Sequence, residues 1–311
     1  MLSRIADSLY WMSRYFERAD HCARVLEANY DLLLNPSKPS REQRLGRITS
    51  SLGLQPDDST VDSQTAMLRL IAQPGNRFSI ASCITSAREN ANQVREQISS
   101  EMWESLNQLY HGMNGAGITT EADGEPLRLL TSFRGGVYKF YGVTDTTMSH
   151  GEGWYFIQLG KYMERAGSLS VLLDSHYSAL SGADDLDWAG LLASCSAFEA
   201  YRKAYTADLT ADRVAEFLLL NPEFPYTVRY SVESMQFALN TISELTSARK
   251  AVRIERIIGK LRSSLAYAQI NEVMAHGLHT YLCLVVEQCQ ELHIAVHEVY
   301  TNYPIESVFE A

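Results

Sequence analysis

Residues 2–33 read LSRIADSLYWMSRYFERADHCARVLEANYDLL. Leu2, Ile5, Leu9, Met12, Phe16, Ala19, Ala23, Leu26, Tyr30 and Leu33 step by alternating threes and fours. That spacing is an a/d heptad seam, the signature of a long helix packed on a partner at about +20°. Asn35-Pro36 and Pro39 end it, because proline cannot continue a helix. With Phe16 at position a, Glu17 and Arg18 fall at b and c, away from the seam. The same outer face carries Arg4, Asp7, Trp11, Arg14, His21 and Arg24.

The pattern returns downstream. Residues 156–180 read FIQLGKYMERAGSLSVLLDSHYSAL, and a shift of 147 aligns them with residues 9–33 at 7 identities in 25. Tyr15, Glu17, Arg18 and Ala19 fall on Tyr162, Glu164, Arg165 and Ala166; Arg14 falls on Lys161. A second correspondence sets Ser79–Cys83 near Thr227–Ser231, each just after an Asn- or Pro-containing break. The expectation is an all-α helical bundle built from two degenerate repeats, 1–147 and 148–311, within one compact domain. Further helices are expected at Thr60–Ile71, Ser79–Tyr110 and Leu127–Tyr141, and near 154–181, 186–206, 210–220, 225–247, 249–267 and 270–302. Loops are expected at His111–Pro126 and at Gly142–Gly153, with Thr144, Asp145 and Thr146 as cap candidates. No period-2 strand pattern stands out.

Composition narrows the function classes. The chain has 311 residues, 46% apolar and 21% charged, an ordinary globular balance. Only 18 Gly and 8 Pro punctuate it, which favours long helices over a β-sandwich. The net charge of −10 argues against nucleic acid, where binding needs clustered cations, and against an anionic membrane surface. No signal-like apolar run and no membrane-length apolar stretch are evident. The five cysteines, Cys22, Cys83, Cys195, Cys283 and Cys289, are widely spaced without a C-x-x-C. They read as reduced thiols of a cytoplasmic protein.

Three Glu-Arg pairs carry the distinctive charge: Glu17-Arg18, Glu164-Arg165 and Glu255-Arg256. Helix neighbours point about 100° apart, so the two members of a pair do not bond each other. Such pairs form a solvated face, a structural ion-pair network beneath a second helical layer, or an anion pocket, since arginine grips carboxylate and phosphate bidentately. No metal or cofactor is expected. The Glu-x-x-His of di-iron bundles is absent around Glu17, Glu164 and Glu287. His276 with His279, and His293 with His297, share helix faces but lack the internal Glu of H-E-x-x-H. The basic run Arg249–Arg262 reads as the wet side of an amphipathic helix. No P-loop, dinucleotide or serine-hydrolase motif occurs.

The N-terminal MLSRIADSLYW and RYFERA, the EGW…LGKYMERA block, SARENA, SSEMWESLN and GKLRSSLAY together resemble the bacterial alpha-E family, across nearly the whole chain. That family is an all-helical domain named for its Glu-Arg motif. Its members are encoded beside, or fused to, a circularly permuted ATP-grasp protein, often with a transglutaminase-like peptidase. The resemblance therefore implies an accessory role in an amidoligase system that forms or modifies peptides. It carries the motif onto Arg14, Glu17, Arg18, Lys161, Glu164 and Arg165. The expected function is to hold an acidic amino acid, a peptide or the ligase itself on an Arg/Glu face, to which Glu255 and Arg256 are candidate additions. The alternatives are an enzyme using the glutamates as acid/base groups in a cavity, and a scaffold whose Glu-Arg pairs are purely structural.

Overall fold

A computed structural model describes residues 1–30, 40–52, 63–73, 75–115, 126–178, 185–206, 208–246 and 252–301. Among the described residues there are fourteen α-helices and no strand. In chain order they are α1 (Ser3–Ala28), α2 (Ser40–Ser51), α3 (Ser63–Ala72), α4 (Ile80–Gln93), α5 (Ser100–Gly115), α6 (Pro126–Thr147) and α7 (Glu152–Ser178). Then follow α8 (Asp185–Ser194), α9 (Phe198–Tyr205), α10 (Ala211–Leu220), α11 (Val228–Thr246), α12 (Val252–Ala266), α13 (Ile270–His276) and α14 (Leu278–Val296), closed by a π turn at His297–Thr301.

The two motif helices, α1 and α7, lie side by side at the centre. They run parallel, since Gly160 rests on Tyr10 and Glu164 on Arg14. Gly160 permits the close approach: a Cβ there would stand 2.3 Å from the Tyr10 carbonyl oxygen. Helices α4 and α6 pack on α1, while α11 and α14 pack on α7. Helix α2 crosses onto α7, and α8 onto α1. Elements from both sides of residue 147 therefore share one continuous apolar core.

This wrapping changes the reading of α1. A two-stranded seam would bury one stripe and leave the b and c positions wet. Instead Ser8, Ser13, Glu17, Asp20, His21 and Arg24, all off the seam, are buried with the apolar positions. Of the alternatives open for this face, a solvated one is ruled out at these residues, because α4, α6, α8 and the π turn cover α1 on its other sides and His293 of α14 reaches Tyr10. The ring of Phe16 meets that of Phe140 on α6 at 4.2 Å.

Helix ends depart from expectation where local signals outweigh periodicity. The expected helix Ser79–Tyr110 breaks at 94–99: Ser99 accepts the Met102 amide at 3.1 Å and starts α5. Ser79 caps α4 by accepting from the Ser82 amide. The expected loop at 142–153 is helical to Thr147. Thr144 and Thr146 are not caps; their hydroxyls donate back to the Phe140 and Gly142 carbonyls. The expected loop from His111 is helical to Gly115, and its remainder, 116–125, lies outside the described residues. So do residues 31–39, where α1 was expected to end. Helices 186–206 and 270–302 are each divided, at Ser196 (φ 51°) and Gly277 (φ 102°). No helix among the described residues is long and apolar enough to cross a membrane.

Candidate functional site

The Glu-Arg motifs meet across the α1–α7 contact, and they exchange partners. Glu17 accepts from Arg165 Nε at 2.5 Å and Nη2 at 2.9 Å. Glu164 accepts from Arg18 Nε at 2.6 Å and Arg14 Nε at 2.8 Å. Each glutamate thus binds the arginine of the other helix, and neither binds its own neighbour in sequence.

The two halves of the cluster differ in environment. Glu17 is fully buried, and Tyr141 of α6 also donates to it. Arg165 is sealed as well: its Nη1 donates to the Pro225 carbonyl at 3.0 Å, and its guanidinium sits 4.3 Å over the Tyr226 ring. Burial alone would raise the Glu17 pKa, but Arg165 overcomes it and holds the carboxyl down at about 2. Lys161 stands where the first motif has Arg14. Its Nζ lies 4.0 Å from the Tyr141 ring centre. Burial, aided by Arg165, lowers its pKa to about 8. Just beyond, Asp20 accepts from Arg24 at 2.8 Å, and Arg24 ties α1 to the α8–α9 turn through Ser196 at 2.7 Å.

Glu164 faces a cavity of about 230 Å³ between α1, α7 and α14, closed by Leu52 and Phe78. Its wall on α1 is Arg14, Arg18, His21 and Cys22; on α7 it is Met163, Gly167 and Val171; on α14 it is Val286, Cys289 and His293. Arg14 and Arg18 keep Glu164 ionised despite burial, lowering its pKa. Arg18 spends only Nε on Glu164; its two Nη groups make no hydrogen bond to a described residue. His21 is 3% exposed, and neither of its ring nitrogens has a partner among the described residues. Burial pushes its pKa down to about 4, so it is neutral at pH 7 and offers one N–H donor. His293 stacks on Tyr10, whose hydroxyl lies 3.0 Å from its Nδ1, and burial lowers its pKa to about 4 as well.

The wall carries two guanidinium groups against one ionised carboxylate, Glu164, with two neutral imidazoles, His21 and His293, and an apolar remainder; the one surplus positive charge suits a small anion with an apolar body. Of the sequence-derived candidates, Arg14, Glu17, Arg18, Lys161, Glu164 and Arg165 come together. Glu255 and Arg256 do not; both are exposed on α12. His21 and Cys289 had no place among the candidates. His21 looked like one more polar residue on an outer face, and the only available signal was its position, three residues after Arg18.

The alpha-E family description, a predicted alpha-helical domain with a conserved ER motif, matches residues 1–301. The chain belongs to the alpha-E family. It is similar to uncharacterized protein Rv2567 of Mycobacterium tuberculosis and uncharacterized protein Mb2597 of Mycobacterium bovis, at 23% identity in each case over 95% of this chain. The match covers 36% of each relative, so this chain spans about a third of the length of the curated relatives it matches. No solved structure matches it. Of the two Glu-Arg pairs described above in this alpha-E chain, Glu17, Glu164 and Arg165 are buried and Arg18 is partly exposed.

Proposed function

We propose that this alpha-E chain is an accessory subunit of an ATP-grasp amide-ligase system and that its cavity holds the carboxylate of an acidic amino acid or peptide. The observation that carries this reading is the free hydrogen-bonding capacity at the cavity wall: the Arg18 Nη groups and both His21 nitrogens. Buried polar groups are nearly always satisfied, so the sealed His21 ring calls for a ligand atom, and the partly exposed Arg18 guanidinium is free to turn to the same ligand. A carboxylate accepts from a guanidinium fork and from the imidazole N–H together. The partner is a circularly permuted ATP-grasp protein, which forms an acyl phosphate that an amine then attacks. Holding one reactant in this recess fixes the geometry of attack, and docking of the ligase over it would exclude water from that step.

This reading divides the motif. Glu17 and Arg165 form a sealed structural pair, as a scaffold would need. Glu164, Arg14 and Arg18 form the binding wall. The acid/base-enzyme alternative is disfavoured, because both motif glutamates are held ionised by arginine; a general acid needs a raised pKa.

Calorimetric titration of the wild-type chain and an Arg18→Ala variant with L-glutamate and a glutamate-terminated tripeptide tests the site. Co-purification of both forms with the neighbouring ATP-grasp protein tests the partnership. Binding weakened at least tenfold by Arg18→Ala, about 1.4 kcal/mol, is the expected result. Equal affinity in the variant, or no binding by wild type, overturns the cavity reading. Absence of a ligase complex overturns the partnership.

A further inference from the structure

Helices α7 and α14, which both line the cavity, stay in contact beyond it. Asp174 lies about one turn beyond Val171 on α7, and Cys283 about one turn before Val286 on α14. His279 precedes Cys283 by one further turn, so the two share a face of α14. One ligand atom from each of Asp174, His279 and Cys283 lies within 4.8 Å of the others. His279 Nδ1 is 2.7 Å from Asp174 Oδ1 and 3.9 Å from Cys283 Sγ; its Nε2 is 3.7 Å from the same sulfur.

We propose that Asp174, His279 and Cys283 form a binding site for a zinc-class divalent cation that bridges α7 and α14.

Three observations converge on it. First, the donor set is mixed: carboxylate oxygen, imidazole nitrogen and thiolate sulfur. Thiolate and imidazole select zinc-class ions, whereas magnesium and calcium take all-oxygen sites. Second, the spacing fits. Tetrahedral bonds of about 2.0 Å to nitrogen and oxygen and about 2.3 Å to sulfur put neighbouring ligand atoms roughly 3.3–3.6 Å apart. The distances to His279 of 2.7 and 3.9 Å straddle that range, and all three ligand atoms lie within 4.8 Å of one another, so side-chain adjustments of about an ångström bring them onto one ion. Third, two ligands one turn apart on α14 and a third on α7 place the chelate across a packed, preformed helix contact. No loop must close to assemble it.

Three protein ligands leave the fourth tetrahedral position for water or for a ligand atom, the arrangement of open zinc sites. The cation site does not depend on the anion reading, and it stands or falls on its own test.

The test is titration of the whole chain with Zn²⁺ under a phosphine reductant, followed by Co²⁺ substitution read by absorption. The expected results are one zinc per chain and a thiolate-to-cobalt charge-transfer band in the near ultraviolet. Cys283→Ser abolishes the band, and Cys283→Ser, His279→Gln and Asp174→Asn each weaken zinc binding at least tenfold. His276→Gln, on α13 and outside the triad, binds as wild type does. The three positions are partly or largely exposed, so melting curves of all variants should match wild type. No zinc binding, a cobalt spectrum without the thiolate band, or equal weakening by His276→Gln would each overturn the proposal.

Discussion

Glu17 and Arg165 form a bidentate ion pair across α1 and α7, with the carboxylate fully buried and the guanidinium 4% exposed. Their sequence-shifted counterparts, Glu164 and Arg18, form the reciprocal pair, with Arg18 reaching solvent. Reciprocity of this kind is what a two-fold relation between two parallel helices produces: residue i of one meets residue j of the other, and j meets i.

Breaking the sealed pair should cost much more than breaking the open one. Glu17→Gln leaves the Arg165 charge buried with no counter-ion, a loss of about 3–5 kcal/mol. Glu164→Gln should cost less, since Arg14 and Arg18 can turn toward water. Replacing Glu17 and Arg165 together by methionine should recover part of the Glu17→Gln loss, because the isolated charge is gone. Urea-denaturation midpoints decide it; equal losses for Glu17→Gln and Glu164→Gln would remove the distinction between a structural and a binding half.

The α1–α7 contact tolerates no side chain at Gly160. Gly160→Ala drives a Cβ to 2.3 Å from the Tyr10 carbonyl oxygen, a backbone atom that cannot rotate away. The cost should be at least about 1–3 kcal/mol. Gly142→Ala, in mid-α6 with no atom within 4 Å of the added Cβ, should stabilise by about 0.5–1 kcal/mol. Thermal melts of the two variants should therefore shift in opposite directions.

Stability should fall between pH 6.5 and about 4. His21 and His176 are buried, and burial lowers both pKa values to about 4. The unfolded chain takes up protons at these histidines below pH 6.5, while the folded chain does not until about pH 4. Their contribution is complete above pH 6.5 and is lost as pH falls through that window, by up to about 1.4 kcal/mol per pH unit per histidine. Below pH 4.5 Glu17 adds a second loss, since its folded pKa of about 2 lies under its unfolded value. His293, lowered to about 4 as well, shares the window, so His176→Gln should flatten it by about a third; an unchanged slope in chemical-denaturation data across pH 4–6.5 would contradict the assignment.

Only one of the five thiols should react readily. Cys22, Cys83, Cys195 and Cys289 are buried, and burial raises their pKa values. Cys283 is partly exposed. Iodoacetamide on the native chain should label Cys283 first, by peptide mass mapping, and the other four only on unfolding.

The all-α class and the positions of most helices were legible because an apolar period of 3.6 is a local property, readable within a dozen residues. The break before Ser100 was not read from that period: periodicity alone runs one helix over Ser79–Tyr110, and the cap by the Ser99 hydroxyl outweighs it. The Glu-Arg motif was visible as a recurrence, and the rule that helix neighbours do not bond each other left water, a second helix or a ligand as the open choices of partner. Its burial was not legible. A heptad reports which stripe of α1 is apolar; it does not report how many helices surround the rest. Glu17 and His21 are interior only because α4, α6, α8 and α14 arrive from up to 250 or so residues away. The same holds for the cavity and for the Asp174–His279–Cys283 triad, in which Asp174 lies 105 residues before His279 and reaches the other two through the α7–α14 contact. Sequence alone determined the helices and the charges they carry. Tertiary structure decided which charges are sealed, which face a cavity and which reach water, because burial is a property of the whole packing and not of any one helix.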